Sequence, residues 1–105
     1  MKPLDIFITY VSWENDGKIR PVLVFIINEN DIDIYQITTQ YNNKSETIRG
    51  QYFKIDDWTQ AGLDRQSYID TGTLITLPLS TFKNQKSIGH LTESDKIRFL
   101  NFLNL

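Results

Sequence analysis

Pro21-Val22-Leu23-Val24-Phe25-Ile26-Ile27 is the stretch on which the fold turns. Four of its seven residues are β-branched and none is charged. Such a run is too branched to prefer a helix and too apolar for a strand with a wet face, so it predicts the central strand of the core. Pro21 is expected at the first residue of that strand, where a missing N–H is tolerated. Immediately upstream, Asn15-Asp16-Gly17 carries turn chemistry, because all three residues tolerate the positive φ of a tight reversal. Before it, Asp5 to Val11 interleaves Ile6, Ile8 and Tyr10 with Phe7, Thr9 and Val11, which predicts a first strand buried on both faces. The two strands form a hairpin with a loop over Ser12 to Lys18.

Downstream, Asn28-Glu29-Asn30-Asp31 predicts a second turn and Ile32 to Thr38 a third strand, ending in polar residues. Tyr41 to Glu46 is polar and aperiodic, the pattern of an exposed loop. Gln51 to Ile55, Ser67 to Asp70 and Thr73 to Leu77 have strand character, and Gly72 marks a bulge or tight bend between the last two. Only the end is helical. Thr92-Glu93-Ser94-Asp95 is an N-terminal capping pattern, and Ile97, Phe99, Leu100, Phe102 and Leu103 follow at spacings that form an apolar stripe. The fold class is therefore mainly β: a small, strongly bent barrel of five to seven strands with a C-terminal helix, residues 1–105 forming one domain.

Composition narrows the function. A chain of 105 residues, 40% apolar, supports one core and leaves little room for a deep internal site, so a site is expected in a surface groove or between subunits. Zero cysteines exclude disulfide scaffolds, thiolate metal sites and a cysteine nucleophile. Eleven Lys plus Arg against 13 Asp plus Glu give a net charge of -2, so contact with a nucleic acid requires a local basic patch. There is no apolar run long enough to span a membrane and no secretory pattern at the N-terminus, so a cytoplasmic protein with no membrane role is expected. The lone His90 cannot assemble a histidine metal site, and Asp56-Asp57 suits a turn or cap better than a paired carboxylate centre. No phosphate loop, zinc-protease helix or nucleophile elbow is present, so no metal and no cofactor are expected.

What remains is a polar set that consecutive antiparallel strands bring to one rim: Lys18 and Arg20 entering the central strand, Thr38, Thr39 and Gln40 leaving the next. Arginine offers phosphate a planar fork of donors, and a hydroxyl can complete the cradle. Lys44 and Arg49 would extend the positive groove if the polar loop folds over that rim.

The linear pattern adds to this. Gly17-Lys18-Ile19-Arg20-Pro21-Val22-Leu23-Val24, then Ile37-Thr38-Thr39-Gln40, then Trp58 to Ile69, then Ile88-Gly89-His90-Leu91 before a capped helix, resemble in order the MazF/PemK-like toxins of bacterial toxin-antitoxin systems. The resemblance covers nearly the whole chain. It implies an SH3-like barrel, a two-fold homodimer, and a metal-independent, sequence-selective endoribonuclease acting on single-stranded RNA. By position Arg20 and Thr38 are the catalytic pair of that family, which cleaves by attack of the ribose 2′-hydroxyl on the adjacent phosphate. The implied protein partner is a cognate antitoxin with an acidic amphipathic tail. Beside that pair, Lys18 is expected to bind RNA, Thr39 and Gln40 to read a base edge, and Trp13 to stack on a splayed-out base. The first loop, Trp13-Glu14-Asn15-Asp16-Gly17, is shorter than the Gly-rich loop of many relatives. The alternative is a non-catalytic protein- or RNA-binding module on the same barrel.

Overall fold

The first hairpin starts the sheet, and Asp16 and Gly17, expected in its turn, are already paired within its second strand. In the computed structural model, which describes residues 1–13 and 15–105 and only the backbone of Trp13, β1 (Asp5–Trp13) pairs antiparallel with β2 (Asp16–Ile27). Pairing runs from Ile6↔Leu23 out to Trp13↔Asp16, so the connection is tighter than the Ser12–Lys18 loop expected. Pro21 is not the first residue of its strand but lies in the middle of β2, opposite Ile8. It is tolerated there because the ladder to the next strand begins one residue later, at Val22↔Gln36. β3 (Asp31–Thr38) follows the expected turn.

After β3, Ser45 caps a single helical turn, α1 (Glu46–Arg49), its hydroxyl accepting the N–H of Ile48. This turn takes up the end of what the sequence presents as loop. β4 (Tyr52–Lys54) and β5 (Tyr68–Pro78) come next, then a 3-10 turn at Leu79–Phe82, the two-residue β6 (Gly89–His90) and α2 (Glu93–Phe102). The expected strands at Ser67–Asp70 and Thr73–Leu77 are one strand, β5, whose register against β3 jumps from Gln36↔Asp70 to Tyr35↔Leu74. Thr71, Gly72 and Thr73 are the bulge, as Gly72 foretold. The six strands are ordered β4-β5-β3-β2-β1-β6, every pair antiparallel, and curl into a half-barrel.

Both faces of the sheet's middle are buried at Val22, Leu23 and Val24, but the apolar run extends beyond that burial: Phe25 is half-buried, and Ile26 and Ile27, expected in the core, are exposed. On one face Ile6, Leu23, Tyr35, Ile37, Phe53 and Ile69 pack beneath α2. Phe99 closes this cluster, fully buried, with ring centroids 5.1 Å from Phe53, 6.1 Å from Tyr35 and 6.3 Å from Phe25. Truncating such an aromatic to alanine costs about 3–5 kcal/mol. On the other face Phe7, Val11, Val22, Val24, Ile32 and Ile34 are closed by Phe82 of the 3-10 turn, 5.1 Å from Phe7 and edge-on.

Two further expectations of burial fail. β1 is not buried on both faces: Ile8 and Tyr10 are exposed, because the half-barrel covers that face only as far as Ile6. In α2 the inward positions are Asp95 and Phe99, with Leu103 partly buried, while Ile97 and Phe102 are exposed. A buried carboxylate takes the place of an apolar residue because it anchors the helix. Asp95 accepts the N–H of Asp57 at 2.8 Å and pairs with Arg98 at 2.6 Å. The Thr92 hydroxyl accepts the Asp95 N–H at 3.3 Å and donates to Asp57 at 2.7 Å, while Asp56 pairs with Arg98 at 3.3 Å. Asp56-Asp57 thus joins the capping apparatus of α2, and His90 pairs with Asp5 in the β1–β6 ladder.

Candidate functional site

A single row of cross-strand partners, Phe7↔Val22↔Gln36↔Asp70↔Tyr52, crosses the sheet. Side chains two residues apart on a strand share a face, so the next positions down β2 and β3, Arg20 and Thr38, lie on the same face at the open end of the sheet. Apolar residues give way to polar ones there because no cluster covers that end: the sequence passes from Val22 to Arg20 on β2 and from Ile34 to Gln36 and Thr38 on β3.

Arg20 and Thr38 both line an open groove of about 250 Å³, together with Lys18, Thr39 and Gln40. Of the six residues singled out in the sequence, five therefore stand around one groove. Arg20 and Thr38 are half-buried, and Lys18, Thr39 and Gln40 exposed. The side chain of Trp13 lies outside the described residues, as does Glu14 of the first loop.

The hydroxyl of Thr38 accepts the backbone N–H of Gln40 at 3.0 Å. A hydroxyl has one hydrogen to give and two lone pairs, so Thr38 keeps its donor and one lone pair for a ligand. The side-chain oxygen of Gln40 accepts from Asn43 at 3.2 Å, and its amide hydrogens are donors.

The far wall of the groove comes from the connection between β4 and β5: Leu63, Asp64, Arg65 and Ser67. Side-chain and backbone hydrogen bonds hold this segment: Gln66 donates to the carbonyls of Ile55 and Ser67 at 2.9 and 3.1 Å, Ser67 donates to that of Arg65 at 2.9 Å, and the backbone of Leu63 donates to the carbonyl of Trp58 at 3.0 Å. Arg65 and Asp64 approach to 3.7 Å as an exposed ion pair, which holds them weakly. Lys18, Arg20 and Arg65 against Asp64 make the lining cationic on a chain whose net charge is -2. Lys44 and Arg49 do not line it. Arg49 instead lies over the ring of Tyr41, 5.7 Å from its centroid.

Sequence reasoning passed over Arg65, although it lies in the Trp58–Ile69 block quoted above. Nothing in its local pattern marks it as a wall residue. Its place depends on long-range packing, above all the close approach of Gly62, at φ +92°, to the backbone of Ile88 and Gly89.

Among the described residues no three His, Asp or Glu side chains gather as metal ligands, and no helix is long and apolar enough to cross a membrane. No family model and no curated protein matches the sequence. Among solved structures, the chain is similar to the Mycobacterium tuberculosis toxin MazF-mt6, with a TM-score of 0.64 over 96% of this chain and 97% of that one, at 21% sequence identity. At that identity the likeness establishes the fold, and that toxin's name is that of the family indicated by the four sequence blocks.

Proposed function

We propose that the chain is the toxin of a toxin-antitoxin pair, a metal-independent endoribonuclease that cuts single-stranded RNA in the Arg20/Thr38 groove. The observation that carries this reading is the meeting of Arg20 and Thr38 in one cationic groove, on a fold shared with a MazF toxin. The ribose 2′-hydroxyl attacks the adjacent phosphorus, its oxygen forming the new P–O bond and giving up its proton to water, while the bond to the 5′-oxygen breaks and that oxygen takes a proton from water. The products are a 2′,3′-cyclic phosphate and a 5′-hydroxyl. No protein nucleophile is consumed, consistent with a groove that offers no activated one.

The task of Arg20 is electrostatic: the fork of N–H donors of its guanidinium meets the charge that builds on the phosphorane oxygens. The free hydroxyl hydrogen of Thr38 serves the same oxygens from the other strand. Lys18 and Arg65 draw the backbone of the substrate into the groove, and Thr39 and Gln40 face its bases. An antitoxin with an acidic amphipathic tail would occlude the same cations, and a second copy of the chain would cover the apolar end of β1 and β2.

The test is incubation of the purified protein with a long unstructured RNA in excess EDTA, beside Arg20→Ala. Selective cuts with cyclic or 3′-phosphate ends, reduced about 10²–10³-fold in the variant, are expected. RNA left intact across varied sequences would point to the non-catalytic binding module.

A further inference from the structure

Beside the groove, on the same face of the sheet, stand three tyrosines that belong to neither core cluster. Tyr68 is the cross-strand partner of Thr38, and such partners lie about 4.5–5.5 Å apart at Cα. The ring of Tyr41 stacks on Tyr68, centroids 4.3 Å apart and planes 12° from parallel. Tyr52 leans on Tyr41 at 6.3 Å, and the Arg49 guanidinium lies 5.7 Å from the Tyr41 centroid. All four side chains are half-buried: held in place, yet open to solvent.

The cluster also reaches Arg20. Burial pushes the Tyr52 phenol above its ordinary value, Asp70 adding to the rise and Arg20 opposing it, which puts Tyr52 within the field of both charges. Asp70 is the cross-strand partner of Tyr52, and one of its carboxylate oxygens accepts the N–H of Gly72 at 2.9 Å in the β5 bulge.

We propose that the Tyr41–Tyr68 stack is a platform for one nucleobase of the single-stranded RNA, next to the phosphate held by Arg20 and Thr38. This rests on the function proposed above and adds a subsite to it. Pre-stacked aromatic rings, with the Arg49 guanidinium over the Tyr41 ring within reach of a phosphate, match what single-stranded RNA presents: planar bases joined by regularly spaced anions. The groove lined by Arg65 then takes the chain on one side of the cut and the tyrosines take it on the other. Stacking is tolerant of base identity, so this subsite supplies affinity, and discrimination falls to Thr39 and Gln40.

The test uses the full chain and an RNA oligonucleotide spanning a mapped cut, with the scissile ribose 2′-deoxy and 2-aminopurine placed in turn on either side. In the wild type, one flanking position is expected to lose fluorescence on binding. Tyr41→Phe should keep that quench and Tyr41→Leu abolish it, with KM rising about tenfold and kcat little changed. A quench that survives Tyr41→Leu overturns the proposal, as does a change in sedimentation of that variant, which would make the stack a subunit contact. If Tyr41→Leu does not fold, the wild-type scan decides alone: no quenched flanking base means no platform. A wild type that neither binds nor cuts RNA defeats the functional reading itself, an outcome distinct from cutting that ignores Tyr41.

Discussion

The Thr38 hydroxyl oxygen accepts the backbone N–H of Gln40, so the side chain at the end of β3 is tied to the turn that follows it. The rotamer is thereby preset, and the hydroxyl hydrogen remains to be donated. Thr38→Ser retains both functions and is expected to keep most of the cleavage activity. Thr38→Val matches the shape and loses the donor and the tie, so a drop of about 10²-fold in kcat is expected. Single-turnover cleavage of one RNA by the two variants measures this, and equal activity would remove Thr38 from the reaction.

Arg20 and Thr38 were legible together because antiparallel strands that follow one another in sequence must place the start of one beside the end of the next. Pairing through Val22↔Gln36 does this here. Arg65 was not, because the segment from Gly62 to Ser67 has no period and takes its position from distant backbone. The helix stripe misled for a related reason. Apolar spacing cannot reveal that Asp95 is buried in place of Ile97, since that exchange depends on partners 38 residues away, at Asp57.

Asp95 and Arg98 form an asymmetric pair, the carboxylate fully buried and the guanidinium 41% exposed. Removing Arg98 leaves a buried carboxylate with no ion-pair partner, at a cost of about 3–5 kcal/mol, and also strips a cation lying 4.8 Å from the Phe53 ring centroid. Removing Asp95 leaves Arg98 near solvent and orphans the Asp57 N–H, at about 1–3 kcal/mol. Urea unfolding should therefore rank Arg98→Ala below Asp95→Ala, despite the greater exposure of the arginine. The opposite order would mean that the pair is solvated.

Gly62 and Gly89 bring two backbones together. A Cβ on Gly62 would run into the carbonyl of Ile88, and one on Gly89 into the carbonyl of Ala61. Neither obstacle is a side chain that can swing away, and Gly62 has φ +92° besides. Each alanine variant is expected to lose more than the roughly 1–3 kcal/mol of ordinary overpacking. Because this contact seats the far wall, the variants should also lose RNA affinity at temperatures where they remain folded. Thermal melts and binding titrations measured on the same samples test both effects, and alanine at either position with an unchanged melting midpoint would contradict the close approach.

Ile19, at 69% exposure, pairs across the hairpin with Tyr10, at 56%, and Ile8, at 47%, pairs with Pro21. These four continue the face that buries Ile6 and Leu23 higher up the same strands, so a core-facing surface emerges bare at the open end of the half-barrel. Water-exposed isoleucines grouped in this way are costly for a lone chain and are expected to be covered by a second copy. The same place is a cavity of about 360 Å³ lined by Ile8, Ile19, Arg20, Pro21 and Leu63 among others, so a subunit seated there stands against Arg20. Dimerisation and cleavage should then fail together. Ile19→Asp is expected to sediment as a monomer at micromolar concentration and to lose RNA cleavage while still folding, with a melting midpoint lowered only by the loss of the partner, because Ile19 belongs to neither core cluster. A monomeric variant that still cuts RNA would place the whole site within one subunit, and a wild type that is itself monomeric would leave this apolar face for a different partner.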